Sequence, residues 1–310
     1  MSPFKTDGIV WINGRMVPWS EANIHIASHV IHYGSSVFEG FRAYRNPRGT
    51  VVFRLEAHIR RLFNSCKIYR LEIPFSREDL GRAVLDTIRV NGLESCYVRP
   101  IVYRGYGTLG VDPFPNPVDC AILVWEWGQY LGDAAREAGV DVKVSTWTRM
   151  AANTFPALAK SGANYMNSQL IKMEAKLEGY AEGIALNTRG HVSEGSGENI
   201  FLVQDGRLIT PPLSSAVLPG ITRDCVMILA RRLGLTVAED TIPREMLYVA
   251  DEVFLTGSAA EITPVRSVDH IPIGSGRRGP LTKLIQEAFF DVIEGRTPDA
   301  DHWLTCVPMD

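Results

Sequence analysis

The sequence lacks a long hydrophobic run, a cysteine pair and an excess of either charge. No apolar stretch among its 310 residues reaches the length needed to cross a bilayer, and the first residues lack the apolar core and cleavage pattern of a signal peptide. Acidic and basic residues are interleaved and the net charge is −3, so nothing marks a nucleic-acid or anionic-membrane surface. We therefore expect no nucleic-acid partner and no membrane attachment.

The few cysteines exclude further classes of site. Cys66, Cys96, Cys120, Cys225 and Cys306 are odd in number and far apart in the chain. They form neither a CxxC pair nor a metal-ligand cluster. We expect buried free thiols, no metal, and a reducing, cytoplasmic location.

What is present is the composition of a globular protein, with 45% hydrophobic and 22% charged residues. The length favours two domains. We predict a smaller N-terminal domain over 1–127, a linker over 128–139 and a larger C-terminal domain over 140–310. Strands and helices alternate irregularly and without repeats, which predicts the α+β class rather than a doubly wound sheet.

The first hundred residues carry clear local signals. Asn13-Gly14 between two β-prone runs predicts a two-residue hairpin. Apolar residues share one helical stripe over 54–70. A second helix is predicted to start at Ser76, since Asp79 three residues on is typical of a capping box.

Strands and a long loop complete this half. The runs at 96–103 and 120–127 are strand-like, and the Gly- and Pro-rich segment 104–117 separates them. A loop of that length in a compact domain is usually functional or disordered.

The second half is predicted to mix strands with three helices. A helix is expected over 167–178, a β-rich region over 184–212 and an amphipathic helix over 281–295. A further helix is introduced by Pro219-Gly220.

The stretch FPALAKSGANYMN, residues 155–167, places Lys160 among small residues and ahead of Tyr165. A lysine becomes a nucleophile only when burial or neighbouring positive charge lowers its pKa. Small neighbours would allow close approach of a flat ligand, an arrangement that suits a Schiff-base lysine. Taken alone, the segment favours a surface lysine beside a helix start.

Three other segments offer groups for an anionic, nitrogen-containing ligand. LPGITR presents the amides of Ile221 and Thr222 at a helix start, and TGSAAE offers the Ser258 hydroxyl in a tight turn. HVSEGSGENIF places Glu194 where a carboxylate could hold a ligand nitrogen protonated. Each is equally compatible with an ordinary helix start, packed turn or solvent-facing carboxylate.

Together these segments resemble a known family. AKSGANY, SEGSGEN, LPGITR and GSAAEITPV are similar, in order and spacing, to the class IV pyridoxal-phosphate aminotransferases. HYGSSVFEGFR, VFRLEAHIRRL, YVRP and GTLGVDP resemble the branched-chain amino acid aminotransferases within that class. The similarity extends from about residue 9 to residue 290.

The resemblance implies a fold, an activity and an assembly. The fold is the two-domain D-amino acid aminotransferase-like fold (fold type IV), with a smaller N-terminal α/β sandwich and a larger β-rich C-terminal domain. The activity is ping-pong transfer of the amino group between leucine, isoleucine or valine and 2-oxoglutarate, through pyridoxal and pyridoxamine phosphate. Small-molecule substrates are thus expected, in a homo-oligomer that is at least a dimer.

It also implies roles for individual residues. Lys160 would form the Schiff base with pyridoxal phosphate and move the substrate proton, Glu194 would pair with the pyridine nitrogen, and Tyr165 would bind the ring's phenolic oxygen. The phosphate would be bound by Arg61, the Ile221 and Thr222 amides, and Ser258.

The implied substrate site is partly apolar, for the branched side chain, and partly polar, for the carboxylates. Its members are Tyr33, Phe38, Gly40, Tyr97, Arg99, Leu109, Val111, Tyr130, Ala259 and Ala260. The loop over 105–117 departs from the family pattern at VDPFPNP, which leaves acceptor preference open. Ser258 stands where the family often has threonine, which keeps the hydroxyl.

Two alternatives stay open at this point. A D-amino acid or (R)-amine aminotransferase, or an aminodeoxychorismate lyase, would share the lysine, the glutamate and the phosphate site. A non-catalytic pyridoxal-phosphate-binding protein would require only the lysine and the phosphate site.

Overall fold

The computed structural model describes residues 7–128, 130–132 and 134–308. The chain forms two compact units. The first unit comprises Met1–Trp127, Ala159–Ala163 and Val292–Asp310, and the second comprises Gly128–Leu158 and Asn164–Asp291. The predicted domain boundaries stay a prediction, and residues 1–6, Gln129, Asp133, 309 and 310 lie outside the described residues.

Strands and short or medium helices alternate irregularly along the chain, as the α+β prediction requires. The elements up to residue 144 are β1 (Ile9–Ile12), β2 (Arg15–Pro18), α1 (His29–Tyr33), β3 (Ser36–Phe38), β4 (Phe41–Asn46), β5 (Gly49–Phe53), α2 (Leu55–Ile68), α3 (Arg77–Val90), β6 (Cys96–Arg104), β7 (Val118–Trp125), α4 (Ala135–Ala138) and β8 (Val140–Val144). Those that follow are α5 (Tyr165–Leu177), β9 (Glu182–Leu186), β10 (Val192–Gly195), β11 (Asn199–Gln204), β12 (Arg207–Thr210), α6 (Ile221–Arg232), β13 (Val237–Glu239), α7 (Met246–Val249), β14 (Glu252–Gly257), β15 (Glu261–Val268), β16 (Ile271–Pro272), α8 (Pro280–Ile293) and β17 (Leu304–Cys306).

The first unit contains an eight-stranded sheet in the order β17-β5-β4-β6-β7-β1-β2, with β3 paired to β6. All its strand pairs are antiparallel. Asn13 and Gly14 both have positive φ and join β1 to β2, so the predicted hairpin is confirmed. The capping box is confirmed as well, because the Ser76 hydroxyl accepts from the Asp79 N–H and the Asp79 carboxylate accepts from the Ser76 N–H.

Helices α2 and α3 contribute their apolar stripes to the core of this unit. Ile59 and Leu62 of α2 and Val84 and Ile88 of α3 are at most 3% exposed. Each such side chain contributes about 1.5–3 kcal/mol when it is buried. Sheet residues in the same core are Val37, Phe41, Ala43, Val52, Cys96, Val98, Val102, Cys120 and Ile122.

The second unit contains a nine-stranded mixed sheet in the order β10-β9-β8-β15-β14-β11-β12-β13, with β16 paired to β15. Strand β8 is parallel to both of its neighbours, and β12 is parallel to β13. The helix predicted at 167–178 runs from Tyr165 to Leu177, and Gly179 with positive φ follows it. The helix predicted after Pro219-Gly220 begins at Ile221.

All five cysteines are free, which confirms the expectation of free thiols, but only four of them are buried. Cys306 is exposed because it lies on β17, an edge strand paired only with β5. Burial raises the pKa of Cys66 well above its usual range and raises the pKa values of Cys96 and Cys120 to about 12. In the described parts of the chain, no helix combines the length and the apolarity of a membrane span.

Candidate active site

Lys160 lies in the first unit, in an irregular segment whose backbone is held on both sides. Its N–H donates to Ser65 Oγ (3.0 Å), and its carbonyl accepts the Phe38 N–H (3.0 Å). Ser161 forms a β-bridge with Val37. These contacts attach the lysine segment to α2 and β3.

The small residues around Lys160 fill space against the protein itself. A Cβ added to Gly162 would lie 2.4 Å from Ser36 Oγ. A Cβ added to Gly34 would lie 3.4 Å from the Cβ of Ala163. The sequence interpretation treated these small residues as clearance for a flat ligand. In the structure, at least Gly162 and Ala163 serve the packing of the segment.

The Lys160 amine is activated by its surroundings. Burial and the neighbouring Arg61 guanidinium lower the pKa of Lys160 to about 8, with Glu39 acting in the opposite direction. The Nζ atom lies 4.9 Å from the centroid of the Phe38 ring. The neutral amine is therefore accessible near physiological pH, as a nucleophilic lysine requires.

A buried charged cluster of Glu39, His58 and Arg61 lies beside Lys160. Arg61 Nε and Nη2 donate to the two carboxylate oxygens of Glu39 at 2.6 and 2.8 Å, and His58 Nδ1 lies 2.7 Å from Glu39 Oε2. Glu39 and His58 are fully buried, and Arg61 is 8% exposed. This bidentate pair orients the Arg61 guanidinium.

The cluster holds one carboxylate and one neutral imidazole. Although burial opposes ionisation, Arg61 and His58 hold the pKa of Glu39 far below its usual range. Burial lowers the pKa of His58 to about 4, so His58 is neutral at pH 7 and its Nδ1–H donates to Glu39. Sequence reasoning used VFEGFR only as a family signature and did not find this role for its glutamate.

Arg99 lies in an aromatic cage. Its Cζ atom lies 4.7 Å from the Phe38 ring centroid, 5.6 Å from that of Tyr97 and 5.7 Å from that of Trp125. Its Nε is buried and has no hydrogen-bond partner. A Cβ on Gly40 would lie 2.1 Å from the Tyr97 hydroxyl, so that hydroxyl fills the space above the glycine. Four predicted substrate residues, Phe38, Gly40, Tyr97 and Arg99, are thus brought together.

Three other predicted substrate residues lie on the exposed surface of the first unit. Tyr33, Leu109 and Val111 are 45%, 53% and 87% exposed. The loop that carries the last two is held by side chains, since Asn116 Oδ1 accepts the Thr108 N–H (2.8 Å) and His29 Nε2 lies 2.9 Å from the Gly110 carbonyl oxygen.

In the second unit, Glu194 lies on β10 among three hydrogen-bond donors. Its Oε2 accepts from the Leu218 N–H (3.0 Å) and from Asn199 Nδ2 (3.1 Å). Its Oε1 lies 3.2 Å from Arg149 Nη2. The carboxylate is 10% exposed and is held in one orientation.

The beginning of α6 provides N–H groups of the kind that bind anions. Ile221 and Thr222 are the first two residues of this helix, so their N–H groups have no intrahelical acceptor. Gly220 precedes them, and no side chain caps the helix. A Cβ on Gly220 would lie 1.8 Å from Asn199 Oδ1, so only glycine allows this approach.

The turn between β14 and β15 contains Ser258, Ala259 and Ala260. Its base is fixed by Thr263 Oγ1, which donates to the Ala260 carbonyl (2.8 Å). The Oγ1 atom of Thr256, at the approach to the turn, is buried without a hydrogen-bond partner. The turn therefore lies close to a buried hydroxyl that can still accept or donate a hydrogen bond.

The two remaining predicted residues lie in the same unit. Tyr165 is the first residue of α5 and is partly buried. The Tyr130 ring centroid lies 5.1 Å from Lys172 Nζ, and that lysine forms an ion pair with the fully buried Glu182 (2.6 Å).

Burial and Glu182 raise the pKa of Glu198, the second glutamate of SEGSGEN, to about 8.

The comparisons with known proteins agree with this chemistry. The family model for amino-transferase class IV matches residues 36–268. The chain therefore belongs to the class IV aminotransferase family.

The similarity to particular members is close. The chain is 52% identical over 296 residues to the branched-chain-amino-acid aminotransferase of Salmonella typhimurium, covering 95% of this chain and 96% of that protein. It superposes on the crystal structure of the Escherichia coli branched-chain amino acid aminotransferase with a TM-score of 0.96 at 50% identity, covering 97% of this chain and 100% of the other. A crystal structure of the T.th. branched-chain amino acid aminotransferase with pyridoxamine 5'-phosphate gives a TM-score of 0.94 at 46% identity, covering 97% and 99%. Within the class, the chain groups with the branched-chain-amino-acid aminotransferases, and the predicted α+β fold type IV is confirmed.

The enzyme is accordingly a transferase that depends on pyridoxal phosphate. The donor set of the structure fits this cofactor. An aldehyde requires an amine of lowered pKa, as at Lys160, and a phosphate requires N–H donors, as at the beginning of α6. A pyridine nitrogen requires a fixed acceptor, and the Glu194 carboxylate is one.

Proposed function

We propose that this branched-chain-amino-acid aminotransferase exchanges the amino group between leucine, isoleucine or valine and 2-oxoglutarate. The observation that carries the proposal is the Lys160 amine, whose pKa falls to about 8 through burial and Arg61, beside the apolar Phe38 ring. The family relationship supports the branched-chain substrates, since the similar proteins bear that name.

Lys160 is the proposed catalytic residue. When bound, pyridoxal phosphate supplies the electron sink that weakens the substrate's α-C–H bond. The Lys160 Nζ atom would hold the cofactor covalently and, when free, would accept and move the proton that leaves the substrate α-carbon. A pKa near 8 suits an amine that must accept and return a proton at neutral pH.

Two residues of the second unit are proposed to hold the ring. Glu194 keeps the pyridine nitrogen protonated, because a negative carboxylate stabilises the positive charge of the protonated ring. Hydrogen bonds from the Leu218 N–H and from Asn199 Nδ2 hold that carboxylate in place. Tyr165 donates a hydrogen bond to the phenolic oxygen. For the phosphate we propose Arg61, the amides of Ile221 and Thr222, and the Ser258 hydroxyl.

The aromatic cage around Arg99 supports a substrate site that is partly apolar and partly charged. Phe38 and Tyr97 offer apolar surface for a branched side chain, and the guanidinium offers charge for a carboxylate. The remaining proposed contributors to substrate binding are Tyr33, Gly40, Leu109, Val111, Tyr130, Ala259 and Ala260.

We further propose a homodimer that works in the reducing cytoplasm. Tyr33, Leu109 and Val111 expose apolar surface that a second copy of the chain would cover. The five free thiols support a reducing compartment. Sedimentation of the purified protein tests the dimer.

A substrate panel tests the function. Purified holoenzyme is assayed with L-leucine, L-isoleucine and L-valine against 2-oxoglutarate, beside D-alanine and (R)-1-phenylethylamine. We expect transfer from the three branched L-amino acids, and a shift of cofactor absorbance toward the pyridoxamine form when leucine is added alone. Bound cofactor with no such shift would support a binding protein, and transfer from D-alanine or the amine alone would support the other substrate class.

A further inference from the structure

The Arg149 side chain makes several polar contacts around the proposed ring site. None of the residue roles proposed above accounts for them. It is 4% exposed, although arginine is among the residues least often buried. Its backbone is fixed to β9, because its N–H donates to the Leu186 carbonyl (2.8 Å). Sequence reasoning passed over this residue, which lies in the irregular stretch between β8 and Lys160.

The guanidinium of Arg149 connects two elements of the second unit. On one side, Nη1 donates to Asn167 Oδ1 and to Ser168 Oγ, both at 3.0 Å, in the first turn of α5. On the other side, Nη2 donates to the Gly195 carbonyl (2.6 Å) and lies 3.2 Å from Glu194 Oε1. The planar fork of arginine fixes the directions of these bonds, which a lysine ammonium cannot do.

Those two elements carry the groups proposed to bind two polar atoms of the cofactor ring. Helix α5 begins with Tyr165, the proposed partner of the phenolic oxygen, and β10 carries Glu194, the proposed partner of the pyridine nitrogen. A single buried side chain that contacts both elements restricts their separation.

We propose that Arg149 is a positioning residue that fixes Glu194 relative to the first turn of α5 and holds the shared proton on the ring nitrogen rather than on Glu194. The inference rests on the proposed roles of Glu194 and Tyr165. A guanidinium beside the carboxylate stabilises its ionised form, because opposite charges attract strongly where water is largely excluded. The proton then resides on the nitrogen, which is the form that accepts electrons from the substrate.

The test reads the ring nitrogen directly. Holoenzyme is prepared with pyridoxal phosphate labelled with ¹⁵N at the ring nitrogen, and its NMR signal is followed from pH 6 to pH 9. Wild type is compared with Arg149→Gln, Arg149→Lys and Glu194→Gln. Arg266→Gln is the matched control, since it also removes an arginine–carboxylate contact (2.8 Å to Asp141) in the same unit.

We expect a protonated signal in wild type and Arg266→Gln, and a deprotonated signal in Glu194→Gln. Arg149→Gln should move at least one pH unit toward the Glu194→Gln behaviour, equivalent to about a tenfold change in the proton equilibrium. Arg149→Lys should lie between, because it keeps the charge but not the fork. Cofactor affinity should change less than about threefold, since the phosphate contacts are untouched.

An Arg149→Gln signal equal to wild type, with Glu194→Gln shifted, overturns the role of Arg149 alone. If the Glu194→Gln signal is not shifted, both the role of Glu194 and this inference are wrong. If the signals shift as expected but no branched-chain amino acid is a substrate, only the proposed reaction is wrong. If Arg149→Gln does not fold, Arg149→Lys decides: a signal equal to wild type at every pH overturns the inference.

Discussion

Arg61 donates from both Nε and Nη2 to the carboxylate of Glu39, at 2.6 and 2.8 Å, in the interior of the first unit. The two residues act on Lys160 in opposite directions, because Arg61 lowers its pKa and Glu39 raises it. The reactivity of the lysine therefore depends on a pair of charges that lies outside its own segment.

Replacing Arg61 with glutamine should raise the pKa of Lys160. The substitution removes the positive charge that lowers this pKa and leaves the Glu39 charge that raises it. We expect the pH midpoint for acylation of Lys160 in cofactor-free protein to move upward by about one unit, by mass spectrometry of the modified peptide. Arg60→Gln, one residue away but exposed, is the control, and an unmoved or lower midpoint in Arg61→Gln contradicts the account.

Lys160→Ala should abolish transfer while part of the cofactor stays bound non-covalently. Loss of the only amine proposed to bind and move the proton should reduce turnover by at least about a thousandfold. Stopped assays with leucine and 2-oxoglutarate measure this, and absorbance after gel filtration measures retained cofactor. Lys67→Ala, which replaces an exposed lysine at the end of α2, serves as control. If Lys160→Ala were about as active as Lys67→Ala, Lys160 could not be the catalytic residue.

His58 should make the protein acid-sensitive below pH 6.5. Burial lowers the folded-state pKa of His58 to about 4, so in the unfolded chain His58 takes up a proton at higher pH than in the folded protein. The stability contributed by the neutral imidazole is complete above pH 6.5 and is lost progressively as the pH falls to about 4, by roughly 3 kcal/mol.

Urea unfolding at pH 7.5, 5.5 and 4.5 checks this for wild type and His58→Gln. The variant should be less stable at pH 7.5 because its contact with Glu39 changes, but it should lose less stability on acidification. His32→Gln replaces an exposed histidine and should follow wild type. Parallel pH profiles for His58→Gln and wild type would show that His58 does not titrate this way.

Gly40→Ala should displace the Tyr97 hydroxyl. The new Cβ would lie 2.1 Å from that oxygen, far inside van der Waals contact. We expect KM for branched-chain substrates to rise by about tenfold, with the free energy of unfolding lowered by about 1–3 kcal/mol. Steady-state kinetics and urea unfolding measure both.

Two further variants distinguish the effect of the steric clash with Tyr97 from the effect of replacing any glycine with alanine. Gly81→Ala adds a methyl group in α3 where no atom lies within 4 Å, and should stabilise the protein by about 0.5–1 kcal/mol. Tyr97→Phe removes the clashing oxygen but leaves the ring Cζ atom 2.9 Å from the new Cβ. The double variant Gly40→Ala/Tyr97→Phe should therefore recover only part of the stability lost by Gly40→Ala. No recovery would show that the clash with the hydroxyl is not what costs stability.

Local signals predicted several elements closely, whereas short ones such as α1, α4, α7 and β17 were not predicted. Asn13-Gly14 adopts positive φ at both positions, and Ser76 and Asp79 form the reciprocal hydrogen bonds of a capping box. These features depend on neighbours within four residues, which is why spacing alone reveals them. The boundary of α5 was less accurate, since the helix begins at Tyr165 and not at Asn167, with no side-chain cap to mark its start.

Contacts between distant residues escaped prediction. Glu39 lies 22 positions before Arg61, and Arg149 lies 45 before Glu194, and nothing in their local sequence indicates that they meet. The packing of Gly162 against Ser36 was also missed, because it depends on the return of the chain to β3.

The sequence by itself indicated the family, through the resemblance of its motifs, and with it Lys160 as the proposed reactive lysine. It also indicated several helices and strands, which follow from residue types at short spacing. The tertiary structure decided the pKa of that lysine, the orientation of Arg61 by Glu39, and the ion pair of Glu194 with Arg149. Burial and the distance between charges set these properties, and both arise only when remote segments pack together.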